Sequence, residues 1–217
     1  MNTTSGAEQS GAPENRRCVI MGGGPVYSGV SRTGLLIACD GGYESLKAMG
    51  RMPDLLVGDF DSLPGPPSEM APENILRLNT EKDDTDMMAA IKEGLRRGCA
   101  EFHIYGGTGG RLDHTVANLQ CLAYLSKRGA RGFLYGEDTV TTAITNGRAD
   151  FGASREGLIS VFAHSGQAKG VWERGLKYRL DGVVLSDDIP IGVSNEFIGQ
   201  ESSVEVEDGT LLIIYPK

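Results

Sequence analysis

From Arg17 to Gly136, short apolar runs alternate with segments of helical spacing. The runs Cys18–Met21, Leu35–Ala38, Leu55–Val57, Ile75–Leu78, Phe102–Tyr105 and Phe133–Tyr135 read as strands of a sheet covered on both faces. Between them, Tyr43–Met49 predicts a short helix closed by Gly50. Thr85–Arg97 places Met88, Ile91 and Leu95 on one helical face and stops at Gly98. Leu112, Val116, Leu119 and Ala123 form a third stripe that ends at Gly129. Alternation at these lengths predicts an α/β fold, a mostly parallel Rossmann-like sheet with flanking helices.

After about Glu137 helical periodicity fades. The β-rich runs Thr139–Thr145, Leu158–Ala163, Val183–Leu185, Val204–Val206 and Leu211–Tyr215 take over. The stretch Val204–Leu211 alternates and meets Asp208-Gly209, which predicts a hairpin turn. A small antiparallel β-sandwich domain is expected here. The expected layout is a disordered, Ser/Thr/Gly/Pro-rich tail at 1–15, an α/β domain at 16–137 and the sandwich at 138–217.

Composition narrows the function classes. A length of 217 residues with 40% hydrophobic content and 31 glycines suits a folded, turn-rich protein. A net charge of −8 argues against a nucleic-acid or membrane-surface binder, which needs a basic face. Cys18, Cys39, Cys99 and Cys121 show no metal-binding spacing, so they read as reduced core thiols of a cytoplasmic protein. No apolar run reaches membrane-spanning length.

The chemistry is concentrated where apolar runs end in acid. Leu55-Leu56-Val57-Gly58 is followed by Asp59 and Asp61, two carboxylates spaced i, i+2. Asp40-Gly41-Gly42 follows the second run, and Asp83, Asp84 and Asp86 follow the fourth. Open α/β sheets bind ligands at their strand tips, and carboxylates are hard oxygen donors suited to Mg²⁺. One of Asp83 or Asp84 is expected to cap the next helix, leaving Asp86 in its first turn. Tyr105-Gly106-Gly107-Thr108-Gly109-Gly110-Arg111-Leu112-Asp113-His114 joins a strand to a helix. Its glycines let backbone N–H groups approach an anion, Arg111 can pair with a phosphate, and Asp113 can take a metal or a substrate hydroxyl. Met21-Gly22-Gly23-Gly24 is a second glycine turn, and Trp172 and Tyr178 are aromatics available to stack on a flat ring. A metal–phosphate site is the common reading.

Together these motifs resemble the thiamine pyrophosphokinase (thiamine diphosphokinase) family. The resemblance rests on Ala38-Cys39-Asp40-Gly41-Gly42, Gly58-Asp59-Phe60-Asp61-Ser62, Lys82-Asp83-Asp84-Thr85-Asp86 and Gly107–His114, followed by Gly175-Leu176-Lys177-Tyr178 and Gly192-Val193-Ser194-Asn195-Glu196. It implies transfer of pyrophosphate from ATP to the hydroxyethyl group of thiamine, giving thiamine diphosphate and AMP. It also implies a homodimer with the thiamine site between subunits. By motif position, Asp40, Asp59, Asp61, Asp86 and Asp113 carry Mg²⁺ and phosphate duties. Gly41, Gly107, Thr108, Gly109 and Arg111 then line the nucleotide, while Lys82, Tyr178, Ser194 and Asn195 fall near thiamine. Asp83 or Asp113 accepts the hydroxyl proton. The alternatives are a Mg²⁺-dependent phosphohydrolase with Asp59 as nucleophile and Asp61 as acid/base, and a non-catalytic nucleotide sensor.

Overall fold

The computed structural model describes residues 16–27, 29–60, 67–79, 84–164 and 166–217. The expected disorder of 1–15, and Asp61, Lys82 and Asp83, lie outside them. Six parallel strands form the first part of the sheet: β1 (Arg17–Met21), β2 (Leu35–Cys39), β3 (Leu55–Gly58), β4 (Ile75–Arg77), β5 (Glu101–Tyr105) and β6 (Arg131–Tyr135). Their spatial order is β6-β5-β1-β2-β3-β4, so the chain runs outward from β1 to β4 and then returns to β1's other side. The strand order reverses between β1 and β5, which is where such sheets open a ligand crevice at the strands' carboxyl ends.

Helices cover both faces. Helices α2 (Asp86–Arg96) and α3 (Leu112–Ser126) pack Met87, Ile91, Leu122 and Leu125 on Cys18, Ile20, Phe102 and Ile104. Helix α1 (Gly42–Ala48) packs Tyr43 and Leu46 on Val19, Met21, Leu36 and Leu56 of the opposite face. Period-two alternation along β1 divides its side chains between these two cores. Each fully buried Leu or Ile contributes about 1.5–3 kcal/mol.

The buried acid Glu101 ties the near ends of three strands together. It accepts from Arg17 at 2.9 Å, Arg131 at 2.6 Å and His103 at 3.0 Å, and His103 continues to the Tyr135 hydroxyl at 2.8 Å.

Strand direction changes at β7 (Thr139–Phe151), which lies antiparallel to β6. The remaining strands are β8 (Leu158–Ala163), β9 (Gln167–Arg174), β10 (Leu180–Ser186), β11 (Asn195–Glu196) and β12 (Ser202–Pro216). They enclose a separate core that includes Phe151, Ile159, Val171, Val204, Leu211 and Ile213. The fold is therefore a mostly parallel sheet with helices, followed by an antiparallel, sandwich-like region.

The hairpin expected at Asp208-Gly209 does not form. Val204–Val206 and Leu211–Tyr215 belong to one strand, β12, which pairs with β7 on both sides of a register shift between Val206 and Thr210. Asn146 (φ 46°) accepts the Gly209 N–H through its side chain at 2.8 Å, so the extra residues become a bulge. Before the bulge β12 also pairs with β9, and after it with β8. That bend splits the antiparallel strands into two layers.

Candidate active site

Three acid-bearing segments meet at the carboxyl ends of β2 and β3. Asp40 follows β2 with φ 43°, and its N–H donates to the Val57 carbonyl at 2.9 Å. A side chain on Gly58 would lie 3.4 Å from Asp40 Cβ, an ordinary contact distance that shows the two tips side by side. Asp59 follows β3, and Phe60 beyond it adopts φ 63° with its ring buried under α1. A bulky residue in this backbone region is strained, by about 1–3 kcal/mol. Cys39 Sγ approaches the Asp86 carbonyl at 3.6 Å, which brings the start of α2 to the β2 tip.

Thr85, rather than Asp83 or Asp84, caps α2: its hydroxyl accepts from the Met88 N–H at 3.2 Å. Asp84 is instead paired with Lys92 at 2.6 Å, where the lysine follows two turns along the helix.

Asp40 Oδ1 is buried and has no hydrogen-bond partner. A buried carboxylate oxygen without a partner is costly, and a bound cation removes that cost. Asp40 thus fits a Mg²⁺ ligand. Among the described residues no three His, Cys, Asp or Glu side chains gather tightly enough to hold a metal by themselves.

The glycine turns lie at the reversal between β1 and β5. Gly22 N–H donates to the Tyr105 carbonyl at 2.8 Å and Gly24 N–H to the Gly106 carbonyl at 2.9 Å. A methyl on Gly22 or on Gly24 would meet the Gly106 carbonyl oxygen at 2.7 Å. Gly41 faces the same cradle: a methyl on Gly23 would sit 3.6 Å from its Cα. Gly107 is held by buried Asn118 of α3, whose side-chain amide donates to its carbonyl at 2.8 Å. Thr108 adjoins the β6–β7 turn, 3.6 Å from where a methyl on Gly136 would stand.

Arg111 occupies the cap position of α3 without a side-chain cap. It forks onto Asp113 with contacts of 2.6 and 3.2 Å, both side chains being exposed. That guanidinium holds the Asp113 carboxyl below the usual range. His114 is exposed beside it and donates its N–H to Asp113 at 3.0 Å.

Two further residues border the cradle that sequence patterns did not single out. The Tyr27 hydroxyl packs on Gly109, which adopts φ 79°, and Lys217 places its ammonium 6.0 Å from the Tyr27 ring. Residues this far apart in sequence leave no local signature.

Tyr178, Ser194 and Asn195 form a second group on the antiparallel side. Tyr178 is 61% exposed, and Ser194 (φ 61°) receives support through its N–H, which donates to the Ser160 hydroxyl at 3.0 Å. Trp172 is occupied elsewhere: Arg174 lies 4.5 Å over its ring, its N–H donates to Glu207 at 3.3 Å, and Gly182 packs beneath it. Tyr178 is the more open of the two candidate stacking aromatics, with the Lys177 ammonium 5.8 Å from its ring centre. Glu173, a buried acid of β9, also touches this group. Strand alternation hints at its inward position, because Val171 two residues earlier is buried.

Two family models match the chain, "Thiamin pyrophosphokinase, catalytic domain" over residues 28–134 and "Thiamin pyrophosphokinase, vitamin B1 binding domain" over 152–211. The thiamine pyrophosphokinase of Bacillus subtilis (strain 168) is 27% identical over 205 residues, spanning 90% of this chain and 96% of that protein. The crystal structure of thiamine pyrophosphokinase from Bacillus subtilis aligns with a TM-score of 0.80 at 25% identity, over 93% of this chain and 99% of that one. The enzyme from Geobacillus thermodenitrificans aligns at 0.77 with 26% identity, over 93% and 97%. The Candida albicans enzyme, at 14% identity, shares the fold with a TM-score of 0.73 over 94% and 90%. Acid-tipped strands, a glycine cradle at the strand-order reversal and two matching models of one family, which together span well over half its length, place this chain in the thiamin pyrophosphokinase family.

Proposed function

We propose that the chain transfers the terminal pyrophosphate of ATP to the hydroxyl of thiamine, giving thiamine diphosphate and AMP. The observation that carries the reading is the meeting of two glycine turns with acid-bearing strand ends at the reversal of strand order. Asp40, Asp59, Asp61 and Asp86 are the residues that would hold Mg²⁺. When bound, Mg²⁺ neutralises phosphate charge and polarises the P–O bonds under attack.

The remaining work falls to positioning and hydrogen bonding. Gly41, Gly107, Thr108 and Gly109 shape the walls around the nucleotide, and backbone N–H groups at the start of α3 face its phosphates. Arg111 exchanges Asp113 for a phosphate oxygen as the nucleotide arrives. Asp113, released from that pair, or Asp83 takes the proton of the thiamine hydroxyl. Lys82, Tyr178 and Ser194 contact thiamine, whose cationic ring suits an acidic site.

Residues 16–137 would serve the nucleotide and 138–217 the acceptor. Strand β9, which leads to Tyr178, lies six strand positions from β2 in the sheet. The acceptor group thus sits on the antiparallel strands and the phosphate site on the parallel ones, a layout that suits a homodimer in which one copy's acceptor group meets the other's phosphates. The exposed Leu158, Val184, Ile189, Ile191, Val193 and Ile198 are apolar surface available for that contact. Four buried cysteines outside any disulfide suit a cytoplasmic setting, and no helix among the described residues is long and apolar enough to cross a membrane.

The test is incubation with Mg²⁺, ATP and thiamine, with nucleotides and thiamine esters separated by chromatography. Thiamine diphosphate and AMP in equal amounts are expected. Free phosphate with ADP, or binding without turnover, would instead point to the phosphohydrolase or the sensor.

A further inference from the structure

Asn195 has no hydrogen-bonding capacity left for a substrate. Its amide nitrogen donates to Glu173 Oε2 at 2.6 Å and to the Tyr178 carbonyl at 2.6 Å. Its amide oxygen accepts from the Tyr178 N–H at 2.9 Å and from the Glu196 N–H at 2.9 Å. An asparagine side chain offers two donors and two lone pairs, and all four are used. Asn195 is 5% exposed, so water does not compete for them. One buried amide therefore grips the backbone of Tyr178 on both sides, while the Tyr178 ring stands out in solvent.

Such a grip works only if the amide faces the right way. Flipped by half a turn, it would set its oxygen against the Tyr178 carbonyl and its N–H groups against two other N–H groups. Glu173 adds a fourth contact in the same sense from the far side and holds the amide in place. It is 1% exposed and sits in register between Leu180 of β10 and Val204 of β12. Its Oε2 takes the Asn195 N–H, and its Oε1 has no hydrogen-bond partner. A buried carboxyl group with one oxygen unsatisfied costs stability. What Glu173 contributes at that cost is the bond that holds the Asn195 amide.

We infer that Glu173 is a positioning residue for the acceptor substrate: through Asn195 it fixes the Tyr178 loop against which thiamine docks. This rests on the thiamine reading of the Tyr178 group and adds a residue to it that does not touch substrate. Glu173 acts on acceptor binding and leaves the phosphate cradle alone, because the two lie on different parts of the sheet.

The experiment uses the full-length chain, with KM for thiamine, KM for ATP and kcat measured separately. Glu173→Thr introduces a β-branched strand former that is too short to reach Asn195. It should raise the thiamine KM about tenfold, the equivalent of one hydrogen bond, with kcat and the ATP KM within about twofold. Glu173→Gln still presents an oxygen to Asn195 and should stay within about twofold of wild type in all three. In a Tyr178→Ala background, Glu173→Thr should add nothing. An unchanged thiamine KM, equal rises in both KM values, or additivity with Tyr178→Ala would overturn the inference. If Glu173→Thr does not fold, Glu173→Gln decides: a tenfold rise there would show that charge, not orientation, is required. A wild-type chain that makes no thiamine diphosphate defeats the underlying reading, whereas an active wild type with an indifferent Glu173 defeats this inference alone.

Discussion

The contact between the two glycine turns allows a quantitative test of how tightly the cradle is built. In Gly22→Ala the new methyl falls 2.7 Å from the Gly106 carbonyl oxygen, where ordinary contact begins near 3.4 Å. The obstacle is backbone, so the turns must separate by about 0.7 Å. Overpacking of this kind costs about 1–3 kcal/mol, or roughly 2–10 °C in Tm for a chain of this size. A misplacement near 1 Å at a reacting centre costs about 100-fold, so about 0.7 Å scales to roughly 25-fold in kcat/KM for ATP. The neighbouring Gly23→Ala is the control, since its methyl would rest 3.6 Å from Gly41 Cα, an ordinary contact. Scanning fluorimetry and steady-state ATP kinetics at saturating thiamine read both effects. If the two variants behave alike, or if Gly22→Ala loses stability without losing ATP kinetics, the cradle does not hold the nucleotide.

Three other predictions rest on particular side chains. Asp40→Asn keeps a residue that tolerates the left-handed backbone while removing a carboxylate whose Oδ1 is buried without a partner; it should leave Tm equal or higher and lower activity at least about 100-fold, as a Mg²⁺ titration against rate would show. Burial works against ionisation of Glu101, but His103, Arg131 and Arg17 outweigh it and hold the carboxyl below the usual range. A depressed folded-state pKa means the stabilisation is present above the ordinary glutamate value and fades as pH falls through the folded one. Urea unfolding should therefore show Glu101→Gln weaker by about 2–3 kcal/mol at pH 7, with the gap narrowing as pH falls below the ordinary glutamate value. Burial pushes the Cys121 thiol up to about 11, and contact with Cys99 followed by burial raises Cys18. All four cysteines are at most 5% exposed, so a brief thiol-reagent pulse read by mass spectrometry should leave them unlabelled until the chain unfolds.

The parallel half of the fold was legible because its six strands are compact apolar runs, and their acid tips follow directly from where each run stops. The antiparallel half was less so. Asp208-Gly209 carries the residues of a tight turn, but Asn146 from another strand converts it into a bulge. Strand β9 was passed over because Lys169, Arg174 and the inward-facing Glu173 dilute its apolar alternation. In the site, carboxylates and glycines announced themselves by type. The supports did not, because Glu173 and Asn195, or Tyr27 and Lys217, become partners only once the sheet has brought distant segments together. Asn195 itself was marked by its motif, yet its amide turns inward to the backbone rather than outward to a ligand.

Strand β12 pairs with β7 along most of its length and with β9 and β8 on its other side. During synthesis those three neighbours emerge first and must wait, with hydrogen-bonding edges open, until residues 202–216 arrive. A chain clipped before Ser202 would expose all three edges at once and should accumulate in inclusion bodies rather than as a truncated enzyme. Expression tags or fusions placed beyond Lys217 therefore bear on solubility more than their small size suggests.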